Sequence, residues 1–284
     1  MALPPLKTAI SDTYPNPSNA TARAGFASLY DYVVSIPHGQ CRLVKSGGNL
    51  VLQRYNGQWL RINDVAYSIP SAGVSLAATS LTPGTLYYIY AWMNGATMTL
   101  EASVTGHSTD STTGVEIKTG DVTRSLVGMA RVITGPAWSD LVNQRFVVSW
   151  FNRRPIQCRV ALGGSGGTTS ASAVEFSTAL RLEVLTWADA VLDFSFDGYT
   201  SNNTAGGTNF TYLTIDGTLY DSYSAFQSTS ASATGPVASR LVEPAPSEGY
   251  HYVSPFISVN AGTGTWIGSA SVGVRCSHKG YIQG

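Results

Sequence analysis

The chain has 284 residues, and its 17 basic and 17 acidic side chains balance to zero net charge. That length suggests about two domains, and the neutrality leaves no long-range field to draw in nucleic acid or an anionic membrane. Only 12% of residues are charged, too few for the wet faces of long helices, while abundant Gly, Thr, Val and Tyr favour strands joined by tight turns.

Residues 1–36 read as an arm and a short helix. Pro4, Pro5, Pro15 and Pro17 oppose both helix and ladder, and Ser18 or Asn19 can cap a helix over 20–34. Phe26, Leu29, Tyr30 and Val33 fall at three- and four-residue spacing and make one apolar face. With Tyr14 they form a candidate docking element, since so short a helix is marginal without a surface to pack on. Met1–Lys7 lacks a charged region followed by an apolar one, so no signal peptide is expected. No run of about 20 apolar residues exists, so no membrane insertion is expected.

Residues 37–155 read as a first β domain. The strongest local signal is the hairpin pattern over 49–62, with Asn56-Gly57 supplying a two-residue turn. Further strands are expected over 86–93 and 98–104, turned by Asn94-Gly95, and over 125–132 and 144–150. Residues 156–172, with Gly163-Gly-Ser-Gly-Gly, have the composition of a flexible linker. Residues 173–284 read as a second all-β domain, with strands over 179–186, 190–196, 210–215, 237–242, 250–259, 265–267 and 269–277. Along Val191–Asp197 the alternation puts Leu192, Phe194 and Phe196 on one face and Asp193 and Asp197 on the other. The expected class is therefore all-β: an N-terminal arm and short helix, then two β-sandwich or jelly-roll-like domains.

Catalytic signatures are weak. His38, His107, His251 and His278 show no metal-ligand spacing, and Cys41, Cys158 and Cys276 show no zinc or disulfide pattern and read as buried thiols. His107 sits within Gly106-His-Ser-Thr-Asp110, but triads are assembled from residues distant in sequence, so this reads as a polar turn. Asp189, Asp193, Asp197, Asp216 and Asp221 are the densest carboxylates, and a hydrolase would need two of them facing across a cleft. No catalytic residue, metal or cofactor is expected. Tyr199, Tyr220 and Tyr223, beside Ser, Thr and Asn in loop-like sequence with Tyr212 and Phe226, are candidate receptor or glycan contacts, because rigid aromatics next to adaptable hydroxyls suit a binding surface.

Two blocks resemble bacteriophage and prophage tail-fibre, head-fibre and spike proteins. One is Thr13-Tyr-Pro-Asn-Pro-Ser-Asn-Ala with Ala24-Gly-Phe-Ala-Ser-Leu-Tyr-Asp-Tyr-Val33. The other combines Leu81-Thr-Pro-Gly-Thr-Leu-Tyr-Tyr-Ile-Tyr, Thr105-Gly-His-Ser-Thr-Asp, Gly114-Val-Glu-Ile-Lys, Arg124-Ser-Leu-Val-Gly-Met and Ser149-Trp-Phe-Asn-Arg. The resemblance implies a virion structural protein made in a bacterial cytoplasm. It would be a homotrimer held to tail, neck or capsid proteins through residues 1–36, with 37–155 as spacer and 173–284 as a head that attaches to a host surface glycan or protein. A capsid decoration, head-fibre or neck protein with a stabilising role is the alternative it leaves open.

Overall fold

The computed structural model describes residues 38–269 and 275–284. The expected arm and helix, with Tyr14, Phe26, Leu29, Tyr30 and Val33, lie outside them, as does part of the strand expected over 269–277. Apart from one 3-10 turn, Thr178–Leu180, every regular element among the described residues is a strand, so the chain is all-β and built as packed sheets.

In the first half, Cys41–Ser46, Asn49–Arg54 and Val74–Leu76 form a three-stranded sheet, and Trp59–Ile62 with Val65–Ser68 a separate hairpin. Beside them, Asp121–Ile133 is the axis of a larger sheet, with Leu86–Asn94 on one side and Val147–Ser149 on the other. Both faces of this axis are buried. Val127, Ala130 and Val132 pack with Leu43, Leu52 and Ile62 in a smaller core. Leu126 and Met129 pack with Trp187, Phe194 and Phe196 in a larger one. A strand buried on both faces reads as a continuous apolar run, which is what 126–130 is. Gly128 is required by close approach, since a Cβ there would lie 2.5 Å from the Val148 carbonyl and 2.6 Å from the Leu43 side chain.

The second half is a two-sheet sandwich. One sheet runs Asp140–Leu141, Gln144–Arg145, Leu182–Thr186, Gly249–Val259, Thr208–Ile215 and Thr218–Gln227, with Val174–Glu175 also on Gly249–Val259. The other runs Pro155–Ala161, Ser277–Gln283, Val191–Asn202, Gly264–Trp266 and Gly166–Thr168, with Thr234–Pro244 on the free flank of Val191–Asn202. Gln144–Arg145, next to the first half's last strand, pairs in parallel with Leu182–Thr186. The halves therefore share sheet and core and are not beads on a string.

Three expectations are corrected. The strands either side of Asn56-Gly57 do not pair with each other: Asn49–Arg54 pairs with Cys41–Ser46, and Trp59–Ile62 with Val65–Ser68. Asn56 and Gly57 do take positive φ (56° and 139°), but the Gln40 side chain wedges into the turn and accepts from the Gln58 and Trp59 amides. The true hairpin turn is Asn63-Asp64, both at positive φ (49° and 60°), as a type I′ turn demands.

Second, 156–172 is not a linker. Pro155–Ala161 pairs along its whole length with Ser277–Gln283, and Gly166–Thr168 pairs with Gly264–Trp266. Two of its glycines serve packing: a Cβ on Gly167 would sit 2.1 Å from the Gly264 carbonyl, and one on Gly166 would sit 2.8 Å from the Phe176 ring. Third, 218–227 is not a loop. Thr218–Gln227 is an edge strand whose alternate residues Tyr220 and Phe226 pack on the larger core.

Candidate functional site

The outer face of the six-stranded sheet carries a broad polar surface with a trough over it. It follows from alternation: Leu192, Phe194 and Phe196 are fully buried, as are Cys158 and His278 on the neighbouring strands, so the intervening residues face outward. Register aligns these into rows. Gln157, Tyr281, Asp193 and Val242 form one row, and Arg159, Lys279, Ser195 and Arg240 the next. Ala161, Ser277, Asp197 and Ala238 form a third, and Tyr199 lies beyond, opposite Pro236. The cations thus occupy a middle row between carboxylates.

Each carboxylate is engaged. Arg240 donates to both oxygens of Asp193, Nε to Oδ1 at 3.0 Å and Nη2 to Oδ2 at 2.8 Å. Lys279 Nζ lies 2.9 Å from Asp197 Oδ2, which also accepts from Ser195 Oγ at 3.1 Å. The Arg240 hydrogen bonds hold the Asp193 carboxyl below its ordinary range. These pairs are solvent-exposed, so each is worth only about 0–1 kcal/mol; they order the polar groups more than they stabilise the fold. Over them lies a shallow trough of about 680 Å3, bounded by Gln157, Asp193, Asp197, Arg240, Lys279 and Tyr281. Tyr281 is 50% exposed, so its ring is free to stack on an incoming ligand. Neutral hydrogen-bonding groups, fixed ion pairs and one open ring are the components of a surface that binds a polar, hydroxyl-bearing molecule.

The three candidate tyrosines do not come together. Tyr199, 42% exposed, joins the outer face just described. Tyr223, 62% exposed, stands on the outer face of the other sheet, where its ring meets Phe210 and Tyr212 at centroid distances of 6.4 and 5.9 Å. Tyr220, three residues away on the same strand, faces the opposite way and packs on the core. Tyr281, Arg240, Lys279 and Gln157 escaped sequence reasoning. The alternation of Ser277-His-Lys-Gly-Tyr-Ile-Gln carried a signal for Lys279 and Tyr281, whereas the strand was expected to stop at Ser277.

The five carboxylates are dispersed. Asp193 and Asp197 share the face, Asp189 pairs with Arg153 at 2.5 Å, and Asp216 Oδ2 sits 2.6 Å from His251 Nδ1. Asp221 is exposed on the edge strand. Ser247, His251 and Asp216 superficially resemble a triad, with Ser247 Oγ 3.4 Å from His251 Nε2. That nitrogen is closer to the Ser247 carbonyl, at 3.0 Å, which only an N–H can satisfy, so it is not free to take a hydroxyl proton. His107 is likewise engaged: Nδ1 lies 2.5 Å from Glu116 and Nε2 3.1 Å from Glu248, and it stands on the strand His107–Thr109 instead of in a turn. Cys41, Cys158 and Cys276 are buried free thiols, and burial pushes the first two up to about 12. Among the described residues, no group of three or more His, Cys, Asp or Glu side chains is placed to hold a metal ion.

No protein-family model matches the chain, and no curated protein matches it in sequence. Among solved structures, it is similar to that of infectious bursal disease virus Gx strain, with 12% identity, TM-score 0.27, and 85% of this chain and 74% of that one covered. It is similar also to a Bacillus thuringiensis Cry1Da tryptic core variant, with 10% identity, TM-score 0.22, and coverage of 86% and 50%. The mosquito-larvicidal Cry4Aa toxin of the same bacterium gives 8% identity, TM-score 0.24, and coverage of 87% and 53%. At these scores the likeness carries no functional information.

Proposed function

We propose that this chain is a non-enzymatic virion structural protein of bacteriophage type, a short fibre or spike subunit that attaches to a host cell-surface glycan. The observation that carries the binding part of this reading is the ordered face around Asp193, Asp197, Arg240, Lys279 and Tyr281, where paired charges present fixed hydrogen-bonding edges beside an exposed ring. A non-catalytic role is supported by Asp193: a carboxylate held ionised by Arg240 is a poor proton donor, and a paired-carboxylate hydrolase needs one. Weak single-site binding would be raised by multiplicity in a homotrimer, and residues 1–36 would attach the subunit to tail, neck or capsid proteins. The test is adsorption of labelled protein to a panel of bacterial cells, competed by polysaccharide purified from them. Saturable, competed adsorption is expected; absence of adsorption across the panel would overturn the reading.

A second reading, a capsid decoration, head-fibre or neck protein, is favoured by a different feature. The rings of Phe210, Tyr212 and Tyr223 cluster beside the edge of Thr218–Gln227 that has no strand partner among the described residues, and a strand edge with aromatic cover suits a neighbouring subunit. Under that reading, whole particles carrying Arg240→Gln with Tyr281→Ala would adsorb to the host as native particles do.

A further inference from the structure

The trough over Tyr281 has a neighbour of different character. A second hollow of about 560 Å3 shares Gln157 and Lys279 with the first and continues past Arg159, Arg275, Asn143 and Ser277. Its walls carry three cations, Arg159, Arg275 and Lys279, and no carboxylate. Lys279 is neutralised from the side by Asp197, but among the described residues Arg159 and Arg275 have no anionic partner. In a chain of zero net charge, most of the other described arginines are paired with a carboxylate or stacked on a ring, Arg54 and Arg154 being neither, and two unmatched guanidinium groups in one hollow are a local concentration of positive charge. Other guanidinium groups hold carboxylates: Arg181 holds Glu175 through Nε and Nη2, Arg124 holds Glu101, and Arg153 holds Asp189.

The chemistry of the unmatched pair is specific. A guanidinium is planar and offers parallel N–H donors that fit a carboxylate in two-point fashion. Asn143, Ser277 and Gln157 add neutral donors and acceptors of the kind that take sugar hydroxyls. The apolar side of the hollow comes from Val142, Val160 and Ala161. The two hollows adjoin, one with its charges internally balanced and the other in positive excess.

We infer that the hollow between Arg159 and Arg275 receives the carboxylate of an acidic sugar, with the adjoining trough over Tyr281 receiving a neutral sugar of the same chain. This rests on the reading of the protein as a glycan-binding surface protein and names the class of glycan: an acidic polysaccharide. Because Arg159 is exposed and Arg275 only half-buried, binding should weaken with salt.

The experiment measures affinity of the full chain for three carboxylate polymers (polygalacturonate, alginate and polysialic acid), for dextran sulfate and for uncharged dextran. It compares the native protein, the double variant Arg159→Gln/Arg275→Gln, and Lys45→Gln as a control cation elsewhere on the surface. At least one carboxylate polymer should bind more tightly than dextran sulfate and dextran. The double variant should lose roughly tenfold or more of that affinity, the effect of one charge-assisted pair, with an unchanged melting temperature, and Lys45→Gln should bind as the native protein does. Equal binding by the double variant would overturn the assignment, as would an equal loss in Lys45→Gln or a preference for dextran sulfate. The broader reading is scored separately by cell adsorption: a protein that adsorbs to cells but binds no carboxylate polymer overturns the acidic-sugar assignment alone, and one that does neither overturns both.

Discussion

His107 reaches Glu248 across 141 residues of sequence, Nε2 to Oε1 at 3.1 Å. Its other nitrogen contacts Glu116 at 2.5 Å, Tyr88 donates to the same Glu248 oxygen at 2.8 Å, and the ring packs against Trp150 and Trp187. One imidazole thus ties the first half's sheet to the loop preceding Gly249–Val259. The Glu248 hydrogen bond, opposed by burial and reinforced by Glu116, raises the His107 pKa above its ordinary value. A raised base stabilises the fold fully below its unfolded pKa of about 6.5, and that stability is lost as pH climbs through the folded value. His107→Gln should therefore cost about 1–2 kcal/mol at pH 6 and less at pH 8, as read by urea unfolding at the two values.

His278 predicts the opposite sign. It is fully buried, Nδ1 donates to the Leu180 carbonyl at 2.9 Å, and Nε2 has no partner among the described residues. Burial lowers its pKa to about 4. A base whose folded pKa is depressed leaves stability untouched above about pH 6.5 and erodes it from there down to the folded value, because only the unfolded chain takes the proton. His38, also lowered to about 4 by burial and by Arg61, adds to the same acid-side loss. His278→Leu should unfold at a lower pH in an acid titration followed by circular dichroism, while losing about 1 kcal/mol at pH 8 from the orphaned Leu180 carbonyl.

Trp187 is the keystone of the shared core. It is fully buried, its Nε1 donates to the Ser149 carbonyl at 3.1 Å, and it packs edge-on to Trp150 at 4.8 Å. Trp187→Ala should cost about 3–5 kcal/mol. Both halves should then melt in one transition shifted to lower temperature, which calorimetry would resolve from two.

Gly167→Ala separates a strand from a linker. The added methyl would collide with the Gly264 carbonyl, backbone that cannot rotate away, so a loss of about 1–3 kcal/mol is expected. The neighbouring Gly163→Ala, which meets nothing, should be neutral; equal effects at the two positions would contradict the assigned pairing.

Local alternation was the legible part of this chain. Leu192, Phe194 and Phe196 facing in and Asp193 and Asp197 facing out could be read directly, because a strand's period is a property of adjacent residues. Partner choice could not. Asn56-Gly57 has hairpin chemistry and does turn, yet its flanking strands find other partners, since burial of Leu50, Leu52 and Leu60 outweighs one turn's preference. Thr218–Gln227 hid because Ser222 and Ser224 share its inward face with Tyr220 and Phe226 while Tyr223 faces out, a mixed pattern shared by loops and edge strands. The candidate site was the least legible element: Gln157, Asp193, Arg240 and Tyr281 become neighbours only through the register of four strands, which no local pattern encodes.

The most direct test of the account replaces Arg240 and Tyr281 together, Arg240→Gln with Tyr281→Ala, and measures adsorption of the purified full-length protein to bacterial cells that bind the native chain. Both side chains are exposed and outside the core, so the melting temperature should hold within a few degrees while adsorption falls by roughly tenfold or more. Adsorption equal to that of the native protein, in a variant shown to be folded, would contradict the claim that this sheet face is the binding surface.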